Sequence, residues 1–250
     1  MIIRKIKSFF QEEKELYLIL SKINKYFSNK KIILIGNARN VLKKRIGNKI
    51  DKFDIVVRFN GTPTKMYKNF IGVKTDMMAC NEEICLNWCK KGFFTNESVW
   101  IKNGKYIKFK TSTLYKRKKF ENYNNNCTFV VIENKKTLNK IKKFKKAKKI
   151  IFFNNSLNHI LRYKMISNYN YFKKISSYLR GSKLTIGAIL IFLLKLAKIN
   201  FYIHGFDLKK TPNNYYQYYH NYKHGKTDHG FKEENNILLD LLKKKQIKFI

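Results

Sequence analysis

Proline is almost absent, with 2 residues in a chain of 250. Long Pro-rich linkers are therefore excluded, and one domain with one sizeable core suits this length. Acidic residues are scarce too: 16 Asp+Glu face 54 Lys+Arg, a formal net charge of +38. Such a chain repels itself and is drawn to polyanions, whether nucleic acid, anionic membrane or acidic glycan. The excess is nearly all lysine and comes with abundant Asn, Ile, Phe and Tyr, the residues AT-rich codons encode. Codon bias therefore explains the same excess without any partner. Cysteine is limited to Cys80, Cys85, Cys89 and Cys127. Nor does the N-terminus hold a long apolar run, since Arg4, Lys5 and Lys7 break it before Phe9 and Phe10. No signal core or membrane span is read there. The expectation is a reducing, cytoplasmic setting, with residues 1–30 forming a helical segment packed on the domain or peripheral at a membrane surface.

Two motifs are also missing. No Gly-x-Gly-x-x-Gly follows a strand, which disfavours a nicotinamide cofactor. No Asp-x-Asp occurs anywhere, which disfavours a metal-bound nucleotide diphosphate. The cysteines at 80, 85 and 89 fit no common zinc spacing, and Cys85 and Cys89 share a helix face as small hydrophobes. His220, His224 and His229 sit in one stretch, and surface histidines are the plainer reading. No metal is expected.

Hydrophobic residues make up 44% of the chain and aromatics 15%, which argues against disorder. Short apolar runs at 31–35, 54–59, 129–132, 150–153 and 201–204 read as strands, with 76–79, 99–101 and 247–250 as further candidates. Residues 137–149, 188–197 and 233–245 read as helices, with Leu138, Ile141 and Phe144 on one face of the first. Residues 40–49 read as a polar helix or loop. Strands alternating with helices predict an α/β, Rossmann-like, mostly parallel sheet with helices on both faces, in one domain over 31–250. Ligands bind such sheets at the carboxyl ends of the strands. The turns at Gly36-Asn37, Asn60-Gly61 and Gly205 lie at that end.

Several constellations gather around those turns. Gly36-Asn37 follows the first strand, where glycine permits a sharp turn and asparagine offers a donor and an acceptor. Arg58-Phe59-Asn60 spans the end of the second and Pro63-Thr64 follows it, with Gly72 and Thr75 downstream. From Ile32 to Asn81 this order and spacing resemble the large sialylmotif of the animal-type sialyltransferases, glycosyltransferase family 29. Thr185-Ile186-Gly187, the apolar helix after it and Gly205-Phe206 are similar to that family's small motif. Read alone, Thr185 is a helix N-cap. As part of the motif, Thr185 and the Gly187 amide form an anion site suited to a sialic acid carboxylate. His229 and Glu234 match the last motif, a histidine, four intervening residues and a glutamate.

The resemblance implies a GT-A-like variant of the fold and an inverting, metal-independent sialyl transfer from CMP-sialic acid to a glycan or glycolipid hydroxyl, without a cofactor. His229 would be the general base, a task suited to a group titrating near neutral pH. Asn37 and Asn60 would hold nucleotide and sugar. Tyr218, Tyr219 and Lys183 would meet the leaving phosphate. Glu234 would sit in the first turn of the last helix, holding the loop that carries His229 or contacting substrate.

The chain departs from the family pattern at several points. Gln217 stands where a histidine is expected. Lys183, Leu184 and Ile186 replace a tyrosine, a proline and a hydroxyl residue. Ile32 and Lys198 stand near the positions of the family's disulfide. Two rival readings remain: an inactive member of the same fold, and a basic nucleic-acid-binding protein with interleaved tyrosines. The lysines are spread along the chain rather than gathered in one arm, so nucleic acid is not the expected partner. An anionic membrane surface is a possible one.

Overall fold

The computed structural model describes residues 2–62, 64–91, 99–102, 105–108, 127–144, 150–169, 184–206 and 231–250. Seven parallel strands form the central sheet: β1 (Ile32–Ile35), β2 (Ile55–Phe59), β3 (Met77–Asn81), β6 (Cys127–Ile132), β7 (Ile150–Asn154), β8 (Tyr202–His204) and β9 (Lys248–Phe249). Their order is β7-β6-β3-β2-β1-β8-β9. Every residue of β1, β2 and β6 is buried, as expected of parallel strands covered on both faces.

One face of the sheet carries α1 (Ile2–Phe27), α6 (Asn158–Tyr169), α7 (Ile186–Leu196) and α8 (Phe231–Lys243). Their apolar sides join Ile32, Leu34, Val57, Phe59, Ala79, Phe129, Phe153 and Ile203 in the main core. From α1, Leu16, Ile19, Ile23 and Phe27 enter that core, each worth roughly 1.5–3 kcal/mol of burial. The N-terminal segment thus shares its core with the sheet. α7 is buried at every position from Ala188 to Leu194, because α1, α6 and the sheet enclose it.

Two smaller clusters cover the other face. α4 (Glu82–Lys91) and α5 (Lys135–Lys142) bury Ile84, Cys85, Trp88, Cys89 and Ile141 against Met78, Cys80, Val130, Ile132 and Ile150. The cysteines there are core residues. The hydrogen bond with Cys80, and then burial, push the Cys85 thiol up; burial pushes Cys127 up to about 12. α2 (Gly47–Ile50) and α3 (Lys68–Ile71) cover β1 and β2 through Ile50 and Ile71, joined by Val41 and Phe53 from the flanking segments.

Several expected elements shift. Residues 40–49 form a 3-10 turn over Arg39–Lys43 and then α2, not one helix. α5 starts at Lys135 rather than 137, because the Asn134 side chain caps it by accepting from the Lys136 amide. Leu138, Ile141 and Phe144 do share one face. The strand at β4 (Val99–Lys102) leaves the main sheet and pairs antiparallel with β5 (Lys105–Lys108). Cys85 and Cys89 do share a helix face, that of α4.

Candidate active site

β1 pairs with β2 on one side and β8 on the other, all parallel. The chain builds outward from β1 through β2, β3, β6 and β7, then returns to add β8 and β9 at the opposite edge. β1 and β8 therefore flank the topological switch point, the place at which open α/β sheets hold a ligand crevice. Gly36 and Gly205 meet there. The Gly36 amide donates to the His204 carbonyl at 2.7 Å, and the Ala38 amide to Gly205 at 2.9 Å. A Cβ on Gly36 would lie 2.4 Å from the Gly205 carbonyl oxygen. Gly205 has φ +75°, and its Cβ would meet Val41 Cγ1 at 2.2 Å. Neither position admits a side chain, so the two strand ends approach backbone to backbone.

Asn37 leaves β1 buried. Its Nδ2 donates to the Phe59 carbonyl at 3.3 Å, and its Oδ1 accepts from the Thr62 hydroxyl at 2.8 Å. The Thr62 hydroxyl also lies against the Phe59 carbonyl. Asn37 therefore shapes the turn that presents Asn60. Asn60 has φ +54°, a left-handed conformation that asparagine tolerates better than most residues. Its backbone amide donates to the Ala79 carbonyl at 2.9 Å, while its Oδ1 is shielded from solvent and has no hydrogen-bond partner among the described residues. A buried acceptor left so costs about 1–3 kcal/mol, which a ligand hydroxyl or amine would relieve. Asn40 repeats the pattern: its Nδ2 donates to the Phe206 carbonyl at 3.2 Å and its Oδ1 is buried with no partner among the described residues. Asn40 closes the Gly36-Asn37-Ala38-Arg39-Asn40 stretch after the first strand, where the sequence gives it no role of its own. Its place four residues after Gly36 in the same turn was the available signal.

The arginine and the Gly-x-x-Thr of the large motif have structural work. Arg58 is 1% exposed. Its Nε donates to the Lys74 carbonyl at 3.0 Å and to Thr75 Oγ1 at 2.9 Å, and its Nη2 donates to the Ile71 carbonyl at 2.7 Å. Gly72 has φ +66°, and a Cβ there would lie 2.1 Å from Asp51 Oδ1. That carboxylate accepts from the Val73 and Lys74 amides. The motif thus braces the segment between β2 and β3 and so holds Asn60 in place.

Thr185 is the N-cap of α7, as its sequence context predicts. Its Oγ1 accepts from the Ala188 amide at 3.1 Å and donates to Glu234 Oε2 at 2.8 Å. Its amide donates to Glu234 Oε1 at 2.6 Å. Buried Glu234, in the first turn of α8, thereby clasps the start of α7. Gly187 faces Phe206, whose Cε1 would stand 3.2 Å from an added Cβ. The Phe206 ring packs edge-on against Phe59 at 5.9 Å and approaches Gly36. Around this ring the ends of β1, β2 and β8 and the start of α7 converge. Phe206 belongs to the small motif, and its packing role emerges only in the fold. His229, Tyr218, Tyr219, Lys183 and Pro63 lie outside the described residues.

Beneath the crevice, burial holds the His204 imidazole down to about 4; the Val41 carbonyl opposes the shift and the Lys44 charge adds to it. Its Nε2 is buried without a partner.

The family model of glycosyltransferase family 29 (sialyltransferase) matches residues 4–246. Sialyltransferase-like protein 2 of Arabidopsis thaliana is 35% identical over 69 residues, 27% of this chain and 16% of that protein. The human CMP-N-acetylneuraminate-beta-1,4-galactoside alpha-2,3-sialyltransferase is 38% identical over 48 residues, 19% of this chain and 13% of that protein. These matches thus span under a fifth of the relatives' length. A mammalian sialyltransferase crystal structure is similar over 96% of this chain and 78% of its own, with a TM-score of 0.55 at 15% identity. A second, in complex with Gal-beta-1-3GalNAc-ortho-nitrophenol, gives a TM-score of 0.54. At that identity the likeness establishes the fold.

Proposed function

The chain belongs to glycosyltransferase family 29, and from that membership we propose that it transfers sialic acid from CMP-sialic acid to a glycan hydroxyl. The observation that carries this reading is the switch point between β1 and β8, where the turns of the large and small motifs converge on Phe206. The unpartnered Oδ1 atoms of Asn60 and Asn40 support a ligand with hydroxyls or an amine at this place. A CMP-sugar carries both. The start of α7 adds partial positive charge from its first-turn amides, Gly187 among them, suited to the sugar's carboxylate. The Glu234 carboxylate already clasps the Thr185 hydroxyl and amide. Thr185 thus serves this subsite mainly by fixing where α7 begins.

The reaction is a single displacement with inversion. His229 takes the proton of the acceptor hydroxyl as that oxygen attacks the anomeric carbon. The bond from that carbon to the phosphate oxygen breaks, and CMP leaves with the electron pair. Tyr218, Tyr219 and Lys183 meet the phosphate charge. A single-phosphate leaving group and the absence of Asp-x-Asp support a metal-independent step. Gln217, where the family pattern expects a histidine, leaves this work to the tyrosines and the lysine.

The test is a donor screen for CMP release with CMP-sugars and UDP-sugars, using simple galactosides as acceptors. CMP-sialic acid is the expected donor. His229→Ala should abolish transfer and leave CMP binding nearly intact. Turnover retained in that variant would remove His229 from the mechanism, and release from UDP-sugars alone would overturn the donor assignment.

A further inference from the structure

Helix α1 buries one side and leaves a large apolar stripe on the other. Opposite the core residues Leu16, Ile19, Ile23 and Phe27, the side chains of Phe10, Tyr17 and Leu18 are 64%, 61% and 58% exposed. Their spacing at i, i+7 and i+8 puts them on one face. Lys14, Lys22 and Lys25 are exposed on the same face. Among the described residues, none of these three lies in an ion pair.

The carboxylates of α1 are elsewhere. Glu12 pairs with His159 Nε2 at 3.0 Å and Glu13 with Lys164 Nζ at 2.5 Å, both on α6. Glu15 lies half-buried at the flank. Lys164 also stands over the Tyr17 ring, 5.6 Å from its centroid. The outer face is therefore apolar and basic, with its acids turned toward α6. Among the described residues no helix is long and apolar enough to cross a membrane. A helix of this kind lies in the interface plane, its rings at the acyl boundary and its lysines reaching the headgroups.

We propose that the outer face of α1 docks this protein onto an anionic phospholipid bilayer, Phe10, Tyr17 and Leu18 entering the headgroup boundary while Lys14, Lys22 and Lys25 pair with lipid phosphates. Charge complementarity selects the occupant. A second copy would set one chain of net charge +38 against another. Nucleic acid would attract the lysines but offer the aliphatic side chain of Leu18 no apolar phase. A bilayer with acidic headgroups satisfies both halves of the face.

The experiment is co-sedimentation of the full chain with phosphatidylcholine vesicles, with and without phosphatidylglycerol, at near-physiological salt. The native chain should bind only the anionic vesicles. Combined Phe10→Ser, Tyr17→Ser and Leu18→Ser should lower partitioning by at least about tenfold. Combined Lys14→Glu, Lys22→Glu and Lys25→Glu should lower it as much. Lys135→Glu, Lys136→Glu and Lys140→Glu, three exposed lysines on α5, make the same change in net charge and should leave binding within about twofold. Circular dichroism melting confirms that each variant folds, as exposed positions allow. Unchanged binding by the serine variant, equal loss in the α5 variant, or no binding by the native chain would each overturn the proposal. So would a native dimer that the serine variant converts to monomer.

Discussion

His204 shows how one buried side chain makes stability depend on pH. The folded state holds its imidazole at about 4, chiefly through burial, while an unfolded histidine titrates near 6.5. Between those values the unfolded chain carries more protons, so stability falls as pH drops through that window. Above about pH 6.5 the full stability is present. Urea unfolding at pH 7.5 and 5.5 should show the native chain losing about 1 kcal/mol that His204→Gln does not lose. Equal losses in both proteins would mean that His204 is protonated in the fold. Arg58 gives a second lesson at this scale. Its residue type was legible as part of a motif, but the reason for it was not. Three carbonyl and hydroxyl acceptors from Ile71, Lys74 and Thr75 surround it, and only the folded chain brings them to one guanidinium.

At the scale of elements, the decisive joint is between α7 and α8. The two Glu234 oxygens accept from the Thr185 amide and hydroxyl, so the start of one helix is fixed by the first turn of another. In Glu234→Gln one of the two oxygens becomes an amide nitrogen, which accepts neither bond, and the charge is lost. Stability should fall by about 1–3 kcal/mol in chemical denaturation, and the KM for the CMP donor should rise more than kcat falls. A change under about 0.5 kcal/mol with unaltered kinetics would show that the clasp does not position α7. The parallel strands and α7 were legible because their apolar runs are unbroken and the turns after β1, β2 and β8 carry glycine or asparagine. α4 and α6 were less so. The α4 face is assembled from cysteines and a tryptophan among charged residues, and α6 has its apolar positions interrupted by Arg162 and Lys164. β4 read as a strand correctly, yet its partner β5 was not visible, since two short runs do not declare which sheet they join.

For the whole molecule, the net charge of +38 sets a test of its own. Self-repulsion among so many lysines destabilises the compact state, and salt screens it. The melting temperature should rise by about 2–4 °C from low to near-physiological sodium chloride, measured by differential scanning fluorimetry. A flat response would mean that the lysines lie too far apart to repel strongly. The same charge would support the α1 contact with an anionic bilayer, so the serine variant of α1 should keep this salt response while losing vesicle binding.

Apolar periodicity, the glycine and asparagine turns and the order of the motifs by themselves determined the α/β class, the parallel strands and the strand ends where a ligand belongs. Those are local facts, written in neighbouring residues. Tertiary structure decided which residues of the motifs face the crevice and which brace it. Asn37, Arg58 and Thr75 hold the turns, whereas Asn60 and Asn40 keep a buried acceptor without a partner. It decided that Phe206 is the ring on which three strand ends and α7 meet. It also decided that α1 is both a core helix and an exposed apolar and basic face. Hydrogen-bond partners and burial depend on residues far apart in the chain, 166 positions in the case of Asn40 and Phe206, and no local pattern carries that information.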